Sequence, residues 1–136
     1  MQRSPALLDT SFLVRYLTND PPAMAARAAE ILDSDEPLVL SEMALLESAY
    51  VLSTVYGVAR PDVVDALAAL VQKSNLRLVA LPKERVLEAL WLCRDSKRHS
   101  FVDAFLWAQA REMQVDCIYS FDRRFPAEGV RVVGLK

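Results

Sequence analysis

Five short apolar segments recur along the chain, and helical segments separate them over most of its length. The segments, each with the length of a strand, are Ala6-Leu7-Leu8, Leu38–Leu40, Leu76–Leu81, Cys117–Tyr119 and Val130–Val133. Short apolar strands that alternate with helices are typical of a parallel sheet covered on both faces. The sequence therefore predicts an α/β fold: a single domain over residues 1–136, built as a three-layer sandwich with a parallel sheet of about five strands and helices on both faces.

The helices are predicted from apolar residues at helical spacing and from their start signals. Ser41 is a suitable N-cap and Pro61 suits a first helical turn. The predicted helices cover Ser11–Leu17, Pro22–Leu32, the segment from Ser41 to about Tyr56, a segment that starts at Arg60-Pro61-Asp62, Lys83–Arg94 and Ser100–Met113. Trp91 and Trp107 fall at apolar helical positions and are assigned to the core.

Composition excludes several classes of site. The three glycines form no phosphate-binding loop, and two cysteines without CxxC spacing plus one histidine do not make a zinc site. A net charge of −2 means that any contact with nucleic acid needs a local basic patch. Neither a signal peptide nor a membrane span is apparent, so a cytoplasmic location is expected.

Four acids stand out as candidate metal ligands and catalytic residues: Asp9, Glu47, Asp103 and Asp122. Asp9 directly follows the first strand and Asp122 follows the fourth, and the carboxyl ends of parallel strands are where such sheets bind ligands. Glu47 is the sole charge from Met43 to Ala59, on a segment apolar nearly all round, so we expect it on a buried helix.

Each acid also has a purely structural explanation. Asp9 suits a helix N-cap. Asp103 has capping-box spacing from Ser100, Glu47 fits a thin exposed strip of its helix, and Asp122 fits a loop acid paired with a neighbouring arginine. What favours a common site is the joint pattern. Carboxylates about 4 Å apart repel by roughly 4 kcal/mol per pair at an effective dielectric near 20, so a cluster needs a cation. All-oxygen ligands favour Mg²⁺ or Mn²⁺.

Four segments give the chain a resemblance to a known family. They are Leu7 through Leu17, Ser41 through Leu52, Phe101-Val102-Asp103-Ala104 and Ser120-Phe121-Asp122. In order and spacing the chain resembles the PIN-domain family, and within it the VapC-like toxins of toxin–antitoxin pairs. The family's acidic quartet falls on the four acids above. Ser11 stands where the family often has Asn, and Ser100 where many members have a further acid.

The resemblance implies a Mg²⁺-dependent ribonuclease toxin, a cognate antitoxin protein and commonly a homodimer. Basic and hydroxyl residues near the acids are then candidates for binding the RNA substrate: Thr10, Ser11, Arg15, Arg98, Ser120 and Arg123. Solvated loop charge explains any one of the arginines equally well. His99 is assigned to a loop and not to catalysis. Phe12, Tyr16 and Leu17 are candidates for antitoxin contacts, although core packing explains them equally well.

Two other functions stay open. A PIN-like domain that has lost turnover would bind RNA or protein only, and Ser100 in place of an acid keeps that alternative in play. A phospho-acceptor receiver domain also combines a parallel sheet with acids that bind Mg²⁺. The chain resembles receivers less, because it has neither paired acids after the first strand nor a lysine at the end of the fifth.

Overall fold

The computed structural model describes residues 4–134, which form a mixed α/β fold. Within that range, helices and strands alternate as the sequence predicts. In chain order they are β1 Ala6–Leu7, α1 Thr10–Thr18, α2 Pro22–Leu32, β2 Leu38–Leu40, α3 Glu42–Thr54, α4 Arg60–Val71, β3 Leu76–Leu78, α5 Lys83–Arg94, α6 Phe101–Glu112, β4 Cys117–Tyr119 and β5 Arg131–Val133. The predicted fold class is confirmed.

The end of β3 differs most from its predicted bound. The strand stops at Leu78 and not at Leu81. The reason is a side chain from α3: Glu42 Oε2 accepts hydrogen bonds from the backbone amides of Ala80 at 2.9 Å and Leu81 at 2.7 Å. Amides held by a carboxylate do not extend a strand ladder, so the chain bends away from the sheet at this point.

The strands form two parallel sheets, where the sequence predicted one. The first sheet has the order β1-β2-β3 and the second pairs β4 with β5. All pairings are parallel, with Ala6 opposite Leu38, Leu38 opposite Leu76 and Cys117 opposite Arg131. Within residues 4–134, β1 and β4 do not pair. β1 is only two residues long and both are exposed, so it offers a short edge to a further strand.

The core lies between the strands and the helices and includes Leu40, Leu45 and Leu90, each fully buried. Trp107 belongs to it, as predicted. The assignment of Trp91 to the core is wrong, because its side chain is 50% exposed. α5 buries Val86, Ala89, Leu90 and Cys93, and Trp91 lies on the opposite face with Glu84 and Glu88. In the described part of the chain, every helix is too short or too polar to span a membrane.

Candidate functional site

Asp103 lies in the first turn of α6, close to Asp122. Ser100 caps this helix: its Oγ accepts a hydrogen bond from the Asp103 amide at 3.0 Å. The N-cap at Ser100 that the capping-box spacing predicts is therefore confirmed. Partial burial raises the pKa of the Asp103 carboxyl above its usual range, and the negative charge of Asp122 raises it further. The two carboxylates thus lie near enough to interact.

Asp122 follows β4 in a tightly bonded turn. Its amide donates to Ser120 Oγ at 3.1 Å, and its Oδ1 accepts from the Arg124 amide at 2.8 Å. The Arg124 guanidinium is 3.9 Å from the same carboxylate, and both side chains are largely exposed. An exposed ion pair of that length contributes little energy. The turn, and not this ion pair, fixes the position of the Asp122 carboxylate.

His99 connects the two segments that carry these acids. It is 8% exposed, and its Nδ1 lies 2.6 Å from the carbonyl oxygen of Arg124. Its ring is close enough to Asp103 to interact with that carboxyl electrostatically, and this interaction opposes part of the rise in the pKa of Asp103. Sequence reasoning assigned His99 only to a loop. The signal that was available is its position one residue before the N-cap Ser100, next to the helix start that bears Asp103.

Asp9 caps α1, at the end of β1. Its Oδ2 accepts hydrogen bonds from the Ser11 hydroxyl at 2.6 Å and from the Ser11 amide at 3.2 Å. These bonds, the hydroxyl first, hold the pKa of Asp9 below its usual range, so the exposed carboxyl is an anion. The N-cap explanation is confirmed, with Ser11 as the partner of Asp9. Thr10 starts the helix. Further along it, the buried Nε of Arg15 has no hydrogen-bond partner among the described residues.

Glu47 lies on the exposed face of α3. The prediction that it belongs to a buried helix is wrong, because the apolar residues on its side of the helix are exposed as well: Met43 by 78% and Tyr50 by 67%. The buried acid of α3 is Glu42, the residue that binds the amides of Ala80 and Leu81. Its signal in the sequence was an acid in the first turn after the cap Ser41.

Of the four predicted acids, the structure brings Asp103 and Asp122 together. Across residues 4–134, no group of three or more His, Cys, Asp or Glu residues is arranged to hold a metal ion. The predicted meeting of Asp9 with Asp122 required β1 and β4 to share one sheet edge, and these strands belong to different sheets. Two carboxylates nonetheless suit Mg²⁺, which commonly binds one or two protein carboxylates and keeps several waters.

Cationic side chains lie around the pair. Arg98 precedes α6 and Arg123 follows Asp122 directly, and both are exposed. Ser120 is bonded to the Asp122 amide and so is part of the same turn. Two neighbouring carboxylates with exposed arginines on both segments can attract a cation to the carboxylates and a phosphate backbone to the arginines.

Comparison with models of protein families identifies the family of the chain. The model of the PIN domain matches residues 6–128. The chain belongs to the PIN-domain family. This is a family of nucleases, so the fold is that of a nuclease and the receiver-domain alternative is wrong. A crystal structure of Mycobacterium tuberculosis VapC20, described as a sarcin–ricin loop cleaving toxin, is also similar. It has 28% identity and a TM-score of 0.44, covering 92% of this chain and 95% of that one. A comparison with curated proteins found no match.

Proposed function

We propose that this PIN-domain protein is a metal-dependent endoribonuclease, which hydrolyses RNA phosphodiester bonds as the toxin of a toxin–antitoxin pair. The observation that carries the proposal is the pair Asp103 and Asp122, two interacting carboxylates placed on separate segments. Because folding sets two like charges side by side, the free energy of the site falls when a cation binds between them.

Asp103 and Asp122 would hold Mg²⁺ or Mn²⁺, with Asp9 and Glu47 as the further ligands or water-orienting groups that the family pattern implies. When bound, the metal lowers the pKa of a water and stabilises charge on the leaving oxygen. Ser120 keeps Asp122 in place through its amide. Asp9 is held as an anion by Ser11 and is therefore available to bind a cation.

Arg98 and Arg123 would bind phosphates on either side of the carboxylate pair, since each is exposed and adjoins one of the two acid-bearing segments. Thr10 and Ser11 beside Asp9, and Arg15 further along α1, are proposed for another part of the RNA path. Phosphate contacts of this kind set affinity and register without reading the base sequence. The substrate class is accordingly RNA, with the cleavage sequence set elsewhere.

The proposed antitoxin would bind the face formed by α1 and α2. A groove of about 380 Å³ lies there, lined by Phe12, Arg15, Met24, Arg27 and others. Of the predicted contact residues, Phe12 lines this groove. Tyr16 and Leu17 pack against the core, and the Tyr16 hydroxyl donates to Asp33 at 2.7 Å. A homodimer in a cytoplasmic setting completes the proposal, by resemblance to the VapC-like toxins.

Cleavage of a labelled single-stranded RNA by the purified protein, with and without added Mg²⁺, tests the proposal. Asp103→Asn and Asp122→Asn should each reduce the cleavage rate by at least about 100-fold, since loss of groups that only support a metal ligand already costs 10–100-fold. Asp116→Asn is the matched control, because Asp116 is an exposed aspartate in the turn before β4. Full activity of the two site variants in excess EDTA would refute the proposal.

A second candidate function is RNA or protein binding without turnover. The observation in its favour is that two of the four acids come together, and not all four, with Ser100 where many relatives have a further acid. Calorimetric titration with Mg²⁺ separates the two functions. Saturable binding that Asp122→Asn removes supports the nuclease. RNA binding that is undiminished in EDTA, with no heat from Mg²⁺, supports the binding module.

A further inference from the structure

The two site acids belong to segments that are far apart in the sequence. Asp103 lies in the first turn of α6 and Asp122 in the turn after β4. Since β4 and β5 form their own small sheet, the sheet that contains β1 does not hold the turn in place. Packing of β4 and β5 on the core and direct contacts between the turn and the start of α6 therefore have to keep Asp122 beside Asp103.

The turn is internally rigid and is organised around Asp122. The Asp122 amide donates to Ser120 Oγ, its Oδ1 accepts from the Arg124 amide, and its carbonyl accepts from the Phe125 amide at 3.1 Å. Phe125 is 6% exposed and anchors the end of the turn in the core. A shift of the Arg124 backbone would therefore move the Asp122 carboxylate, because a hydrogen bond of 2.8 Å joins the Arg124 amide to Asp122 Oδ1.

His99 makes that contact with the Arg124 backbone. The carbonyl oxygen of Arg124 can only accept, so the His99 Nδ1, at 2.6 Å, carries the proton and donates it. His99 directly precedes Ser100, whose Oγ binds the amide of Asp103. An unbroken path of five residues, each hydrogen-bonded or adjacent to the next, therefore runs from Asp122 through Arg124, His99 and Ser100 to Asp103, and His99 is its central residue.

We propose that His99 is a positioning residue, which holds the Arg124 carbonyl so that Asp122 stays beside Asp103. It acts through the turn and does not itself touch the reacting groups. The effect of His99 on cleavage rests on the proposed function. The effect of His99 on the position of the turn is independent of that function. Filling the space is not sufficient for this role, because an apolar side chain of similar size cannot donate to the Arg124 carbonyl.

Three variants separate donation from packing. His99→Asn keeps an N–H near the position of Nδ1, His99→Gln places its amide one bond further out, near Nε2, and His99→Leu has no donor. We expect His99→Leu and His99→Gln to lower Mg²⁺ affinity by 10–100-fold in calorimetry, in line with the loss of groups that support metal ligands. His99→Asn should stay within about threefold of the unchanged protein.

Hydrogen exchange of the metal-free proteins gives a readout that needs neither metal nor RNA. The Arg124 and Phe125 amides, both bonded to Asp122, should exchange faster in His99→Leu and His99→Gln than in His99→Asn. In cleavage assays the same two variants should lose kcat with little change in KM for RNA, because the phosphate-binding arginines are untouched. If His99→Leu fails to fold, the comparison of His99→Gln with His99→Asn still tests whether a donor at the position of Nδ1 is needed.

The two proposals fail in different ways. Absence of RNA cleavage by the unchanged protein overturns the ribonuclease function. Faster exchange confined to the turn in His99→Leu and His99→Gln would still support the positioning role. Equal exchange rates and equal Mg²⁺ affinities in the Asn, Gln and Leu variants overturn the positioning role, whether or not the protein cleaves RNA. In a protein that does bind Mg²⁺, faster exchange without any change in Mg²⁺ affinity also overturns it, since the turn would then move without consequence for the acids.

Discussion

Replacing Glu42 with alanine should destabilise the protein more than any other single change to an acid of α3. The Glu42 side chain is 7% exposed, and its Oε2 accepts from the amides of Ala80 at 2.9 Å and Leu81 at 2.7 Å. One carboxylate oxygen therefore ties the first turn of α3 to the segment between β3 and α5. Its removal leaves both amides without their acceptor.

The size of the effect follows from the burial of the two amides. An unsatisfied buried donor costs about 1–3 kcal/mol. The amide of Leu81 is buried, so the cost of losing its acceptor should lie toward the upper end of that range. Ala80 is exposed, so water can replace part of the hydrogen bond that its amide loses. We expect Glu42→Ala to lower the free energy of unfolding by about 2–4 kcal/mol. Glu42→Gln keeps an acceptor but not its charge and should cost about 1–1.5 kcal/mol.

Urea denaturation followed by circular dichroism measures both values. The matched control is Glu47→Ala on the same helix, which should change stability by less than about 0.5 kcal/mol because Glu47 is exposed. Activity should show the reverse order: Glu47→Ala impairs cleavage and Glu42→Gln retains it. Equal denaturation midpoints for Glu42→Ala and Glu47→Ala, at unchanged slope, would refute the reasoning.

Three further predictions concern the site and its surroundings. Asp122→Asn should raise the melting temperature in EDTA at pH 7 but not at pH 3. The raised pKa of Asp103 means that the fold loses stability as pH rises through it, and the substitution lessens that loss; an equal gain at both pH values would contradict this. Arg123→Ala should weaken RNA binding and reduce the slope of log affinity against log salt by about 1, and an unchanged slope would exclude a phosphate contact. Tyr16→Phe should cost about 0.5–1.5 kcal/mol in urea denaturation through the lost bond to Asp33; an unchanged midpoint would show that this bond is replaced by water.

Element positions could be predicted from the sequence because their signals are local. Ser41 and Ser100 each cap the helix that follows them, as their positions predict. The errors arose where tertiary contacts decide. β3 stops short of Leu81 because a distant carboxylate accepts from the amides of Ala80 and Leu81, and Trp91 lies at an apolar spacing but its side chain is half exposed. A local pattern contains information on neither contact.

The site could be predicted in part. Residue chemistry and spacing were enough to select Asp103 and Asp122, which interact in the structure. Strand order could not be read from short apolar segments, because each is compatible with several neighbours, and the predicted common edge for Asp9 and Asp122 depended on that order. His99 was missed because its role comes from a carbonyl distant in sequence, which no side-chain pattern reports.

Ser100 explains how a structural role and a site role coexist at Asp103. Its hydroxyl caps α6 through the Asp103 amide, and its closeness to the Asp103 side chain opposes the rise in the pKa of the Asp103 carboxyl. An acid at this position would cap the helix equally well but add a third negative charge beside Asp103 and Asp122. With serine, the pair has a combined charge of about −2 when both are ionised, which one divalent cation neutralises. Serine at this position thus limits the repulsion that the fold must withstand without metal, and it leaves the two carboxylates that are proposed to bind the metal unchanged.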